Sequence, residues 1–167
     1  MRGPDPHALA WALPPGRARD PRRRSPGGAY KSTRGERSRM RFDHVGVASR
    51  DAGDLAELFV ELFDATVAHE ERFDGMAVTF LALDDGGYVE LLEPRAGGTI
   101  ADYLDHEGPG IHHVALATDD LPEALERARE LGVDLVDEEP RPGAWGHEVA
   151  FLHPRSTGGV LVEFVER

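Results

Sequence analysis

The chain repeats itself. Laid over one another with an offset of 69 residues, residues 41 onward and 110 onward bring His44 onto His113, Asp51 onto Asp120 and Leu62 onto Leu131. Farther along, "VELLE" matches "VEFVE" and Glu90 falls on Glu163, at an offset that has grown to 73. The second copy therefore carries four extra residues, which the pattern puts in "EEPRPGAWGHE". Two like units of this size, each with an apolar face of its own, have to bury those faces in one shared fold.

Each copy reads as strand, helix and three strands. In the first, "FDHVGVASRD" is a strand running into a turn. "DAGDLAELFVELFDA" follows as a helix with Leu55, Leu58, Phe59, Leu62 and Phe63 on one face, capped by Asp51 or Asp54. "TVAHEERF", "MAVTFLAL" and "GYVELLEP" are strands parted by Asp-Gly turn signals. "IADYLDHEG" reads as a short linking helix. In the second copy, "GIHHVALATDD" is the strand. "DLPEALERARELG" is the helix, capped by Asp119 or Asp120, with Pro122 in its first turn, Gly132 at its end, and Leu121, Ala124, Leu125, Ala128 and Leu131 inside. Strands follow at "VDLVDEEP", "HEVAFLHP" and "GVLVEFVE". The predicted class is α+β, with repeat one over 41–95, a linker over 96–109 and repeat two over 110–167.

Residues 1–40 are of another kind. They hold ten Lys and Arg against three Asp and Glu, whereas the remainder holds nine against twenty-eight, so a net charge of −12 divides into +7 and −19. The Arg-, Pro- and Gly-rich extension lacks apolar periodicity and is expected to be disordered. Its readings are a mis-assigned start, with Met40 standing just before the first strand, a dispensable extension, or less simply a nucleic-acid arm. The body contains no lysine, and such an acidic surface suits a salt-rich cytoplasm and disfavours nucleic acid. No apolar run approaches bilayer length, so no membrane span is expected. The absence of cysteine excludes disulfides and thiolate metal sites and leaves His, Asp and Glu as ligands.

The repeat itself points to such a site. Each copy contributes one histidine on its first strand and one glutamate on its last: His44 and Glu90, His113 and Glu163. Two imidazoles and two carboxylates suit one divalent cation of intermediate hardness, such as Co, Mn, Ni, Zn or Fe. Gly46 and Ala48 share a strand face with His44, and Ala115 and Ala117 share one with His113, leaving room for a ligand. Glu90 and Glu163 lie in apolar strands, where an unpaired carboxylate would be costly. Strand parity sends His112 to the opposite face from His113, with Val114 and Leu116, in a structural or supporting role.

These residues resemble a known family. The body, 41–167, resembles the vicinal oxygen chelate superfamily and, within it, the methylmalonyl-CoA epimerases, through "FDHVGVA", "VELLEP", "GIHHVAL", "DEEPRPGAWG" and above all "VAFLHPRSTGGVLVEFVE". The resemblance implies paired βαβββ modules forming a U-shaped mixed sheet around one metal ion (Co, Mn, Ni or Zn). It implies ligands His44, Glu90, His113 and Glu163, a homodimer, a cytoplasmic setting, and methylmalonyl-CoA as substrate, interconverted between 2R and 2S forms through an enolate. Some bacterial members carry a catalytic glutamate where this chain has Val78. Glu163 is then the base as well as a ligand, and the second proton carrier is a metal-bound water or a residue such as Glu70 or Glu71. The glycine-rich loop "RPGAWGHE" is expected either to cover the site, with Trp145 against substrate, or to be a plain surface turn; His153 is expected to be structural. The rival readings are a glyoxalase I-like lyase and a metal-free binding or resistance protein of the same fold.

Overall fold

The computed structural model describes residues 39–84 and 86–167, so the expectation of disorder over 1–40 falls, for 1–38, on residues outside those described. Among the described residues eight strands and three α-helices follow in order: β1 (Arg41–Ala48), α1 (Ala52–Phe63), β2 (Thr66–Phe73), β3 (Met76–Ala82), β4 (Tyr88–Pro94), α2 (Thr99–His106), β5 (Gly110–Thr118), α3 (Leu121–Glu130), β6 (Arg141–Pro142), β7 (Glu148–Leu152) and β8 (Val162–Glu166). They form one curled mixed sheet in the order β2-β3-β4-β1-β5-β8-β7-β6. The order is symmetric about its middle. β1 runs parallel to β4 and β5 parallel to β8, and the two modules join where β1 pairs antiparallel with β5.

The two copies fold alike because they carry the same local devices. Asp51 accepts a hydrogen bond from the Asp54 N–H at the start of α1, and Asp120 accepts one from the Glu123 N–H at the start of α3. Ser49 and Thr118 tie the preceding turns through their hydroxyls. Glu93 takes the first helical N–H, that of Ala52, and Glu166 takes that of Leu121. The hairpin between β2 and β3 turns at Asp74 and Gly75, with φ of 47° and 77°, a conformation for which Asp-Gly is suited.

Burial follows strand parity. Leu81, Val89 and Leu91 pack under α1 on the outer face, and Ala150, Leu152 and Phe164 pack under α3. On the inner face Val78, Phe80 and Leu92 pack with Ile100 and Leu104 of α2. The predicted helix faces were too wide: Leu58, Leu62 and Phe63 of α1 are exposed, as is Leu131 just past α3, while Leu55, Phe59 and the four earlier residues of α3 face the core. The predicted strand "VDLVDEEP" does not form. Only Leu135 bridges to Leu152, Asp137 is used to accept the Phe151 N–H, and the pairing strand shrinks to Arg141–Pro142. Four acidic residues in eight make that segment a poor strand, and the extra residues let it loop.

Candidate metal centre

The inner faces of β1, β4, β5 and β8 meet at the seam between the modules, and each brings one polar side chain. His44, Glu90, His113 and Glu163 are 3%, 5%, 3% and 6% exposed. The Nε2 atoms of His44 and His113 lie 3.1 Å apart. Glu90 Oε2 is 3.4 Å from the first and 3.3 Å from the second. Glu163 Oε2 is 3.2 Å and 2.9 Å from them. Burial opposes charging of His44, but hydrogen bonds to Asp43, Glu163 and Glu90 outweigh it and push its pKa up to about 11. His113 is raised for the same reason: burial works against it and the two glutamates prevail. Burial likewise raises Glu90 and Glu163, and the two imidazoles more than reverse it, holding both below the usual carboxylate range.

His44, Glu90 and His113 form a cluster that could hold a metal ion, their ligand atoms all lying within 4.8 Å of one another. The spacing suits one. Atoms each about 2.1 Å from a common ion stand about 3.0 Å apart at right angles and about 3.4 Å apart in a tetrahedron, the range found here. A neighbouring glycine enforces the convergence. Gly46 pairs with His113, and a Cβ built on it would lie 2.1 Å from His113 Cε1. The ring therefore lies over the bare backbone of the adjacent strand.

Two features of the site escaped the parity argument, because both depend on β-bulges. The β1–β5 register slips between Phe42 and His44 and again between Gly46 and Val47, leaving Asp43 and His112 as the extra residues. Asp43 and His112 stand 69 positions apart, so they are counterparts in the two copies. Asp43 is thereby buried beside its neighbour, where His44 Nδ1 donates to Asp43 Oδ1 at 2.8 Å. His112 does not go to the helix-covered face with Val114 and Leu116. Its Nδ1 lies 3.0 Å from His113 Nδ1, and its ring meets Tyr103 of α2 edge-on. Burial, then the neighbouring His113 charge, depress the His112 pKa to about 3, so His112 is neutral.

The cluster opens into a cavity of about 370 Å³. Met76, Val78, Leu92 and Ile100 form an apolar wall, and the cavity passes the start of α2 and Arg141. Val78 faces this space, at the position where the resemblance puts the catalytic glutamate of some family members. Of the two carboxylates named beside it, Glu70 is exposed and meets Thr79 on the far face, whereas Glu71 is on the inner face, opposite Val78 across the β2–β3 pair. The "RPGAWGHE" loop does border this region, but through Arg141, Gly143 and Ala144. Trp145, at φ 60°, places its ring elsewhere: stacked on His69 at 4.8 Å and against Phe80 and Tyr88, while its backbone N–H donates to Glu71. His153 holds a turn, its Nδ1 accepting the Arg155 N–H.

Comparison with known proteins gives the same lineage. Residues 43–151 match the model of the glyoxalase/bleomycin resistance protein/dioxygenase superfamily. The ethylmalonyl-CoA/methylmalonyl-CoA epimerase of Cereibacter sphaeroides is 34% identical over 128 residues, 74% of this chain and 95% of that protein. The chain belongs to the methylmalonyl-CoA epimerase family of that superfamily. Solved members of the family share the fold. Methylmalonyl-CoA epimerase from Mycobacterium tuberculosis superposes with a TM-score of 0.71 at 36% identity, covering 75% of this chain and 86% of that one. A methylmalonyl-CoA epimerase in complex with methylmalonyl-CoA and NH4+ superposes with a TM-score of 0.70 at 32% identity, covering 76% and 94%.

Proposed function

We propose that this member of the epimerase family interconverts (2R)- and (2S)-methylmalonyl-CoA, with a divalent ion, one of Co, Mn, Ni or Zn, held by His44, Glu90, His113 and Glu163. The observation that carries the reading is the convergence of two Nε2 and two Oε2 atoms within 2.9–3.4 Å, imidazole to imidazole and imidazole to carboxylate, at the head of a half-apolar cavity. The substrate's Cα hydrogen lies between a thioester and a carboxylate, so its removal gives an enolate. When bound, the cation supplies Lewis-acid polarisation of the acyl oxygens.

The chain's own residues do the rest. His44 and His113 are aimed at one point from two strands, each fixed by a partner on its Nδ1. Glu163, buried and held as a carboxylate, is the base we assign to one face of Cα. Val78 and Leu92 supply an apolar wall that keeps water from a carbanionic centre. Val78 moves no proton, so the second carrier comes from elsewhere on the inner face, where Glu71 is its cross-strand neighbour. A homodimer in the cytoplasm completes the reading; among the described residues no helix is long and apolar enough to cross a membrane. The relatives described above support it over a glyoxalase I-like lyase or a metal-free binding protein.

The deciding experiment is incubation of metal-loaded protein with (2R)-methylmalonyl-CoA in deuterated water. Inversion with deuterium at Cα, abolished by chelator, is expected; no exchange with any of the four ions removes the proposal. Glu163→Gln should lose exchange at least 100-fold, as loss of an acid–base group does.

A further inference from the structure

Strand β8 reaches His44 twice. Glu163 faces its Nε2 at 3.2 Å. Four residues on, just past the end of β8, Arg167 reaches the other side of the same ring through an intermediary. Arg167 Nε donates to Asp43 Oδ2 at 2.6 Å and Arg167 Nη2 donates to Asp43 Oδ1 at 2.7 Å. Asp43 Oδ1 in turn accepts the His44 Nδ1–H at 2.8 Å. Asp43 is 5% exposed, so its carboxylate depends on these partners. Arg167 is itself confined, its guanidinium 4.8 Å above the Tyr88 ring and 5.0 Å from that of Trp145, with His147 Nε2 at 3.4 Å. Trp145 is anchored in turn by His69 and by Glu71.

We infer that Asp43 and Arg167 are positioning residues for His44, and that Trp145 holds Arg167 for that task. A carboxylate on Nδ1 fixes the proton there, leaves Nε2 as the ligand atom and stops the ring from turning about its own axis. A planar fork suits this duty because it grips both carboxylate oxygens at once and aims the plane of Asp43. Among the described residues no carboxylate takes this place in the other copy: His113 has the ring of His112 on its Nδ1. The relay crosses the module seam, from the covering loop and the end of β8 in copy two to β1 in copy one. It rests on the proposal that His44 is a metal ligand.

The test reads metal affinity and the visible spectrum of the cobalt(II)-loaded full chain, without substrate. Asp43→Asn should weaken cobalt binding about 10–100-fold and shift the absorption bands. Arg167→Met, which keeps apolar bulk over Tyr88 and Trp145, should weaken it in the same direction. The double variant should be no weaker than Asp43→Asn alone, because Arg167 acts through Asp43. Losses that multiply overturn the relay, as do single variants with wild-type affinity and spectrum whose metal-free unfolding midpoints fall. Wild-type chain that binds no divalent ion overturns the metal reading and the relay together; chain that binds cobalt but leaves methylmalonyl-CoA unchanged overturns the substrate alone.

Discussion

Gly46 is a residue whose chemistry is nothing but space. Its Cα carries the His113 ring, and a methyl group there would stand 2.1 Å from it. Gly46→Ala should therefore displace His113 from the cluster, with divalent-metal content falling to near the level of His113→Ala and activity lost with it. Metal analysis of the purified variant checks this, and full occupancy would show that the ring has another seat. The four cluster residues were legible in the sequence, because duplication made each His and each Glu report on the other. Asp43, Arg167 and the orientation of His112 were not. Asp43 and His112 owe their places to bulges, which shift one residue against the period-two pattern and leave no mark in composition. Arg167 lies 124 positions from Asp43, and only the folded sheet makes them neighbours. The doublet "DH" in one copy matched to "HH" in the other was the available signal.

At the scale of the element, the helices and most strands could be read because period, caps and turns agreed with one another. Helix α3 shows how the stabilisation is divided. Leu125 is 1% exposed in the core beneath the helix, so Leu125→Ala should cost about 2–5 kcal/mol in urea unfolding. Asp120→Ala removes the N-cap and should cost about 1 kcal/mol. A reversal of that order would mean the cap, not the core, holds α3. The failed strand "VDLVDEEP" has a use in the finished fold: Asp137 accepts hydrogen bonds from Phe151 N and Arg141 Nε, and so pins the base of the covering loop. The apolar stripe of α1 was over-read because helical spacing alone does not say how wide a face the neighbouring sheet covers.

For the whole molecule, charge is the dominant variable. The body carries nine arginines against twenty-eight acidic residues and no lysine, so like charges crowd its surface. Raising KCl from about 0.1 M to about 1 M shortens the screening length from roughly 10 Å to 3 Å, and the urea midpoint should rise with it. A midpoint indifferent to salt would mean that the acidic surface places no burden on the folded state.

The seam between β1 and β5 has a consequence for how the chain can be cut. Each module owns half of the cluster, and neither half alone brings more than one imidazole and one carboxylate. Opening the backbone at Gly108–Pro109, after α2 and before β5, separates the halves without breaking any strand. Two fragments made this way should find each other through the paired edges of β1 and β5, and tighten their hold when a divalent ion is added. A chelator would then loosen them. The molecule is in this sense a split reporter, joined by its own peptide linker, in which the ion proposed to serve the reaction would also be the clasp.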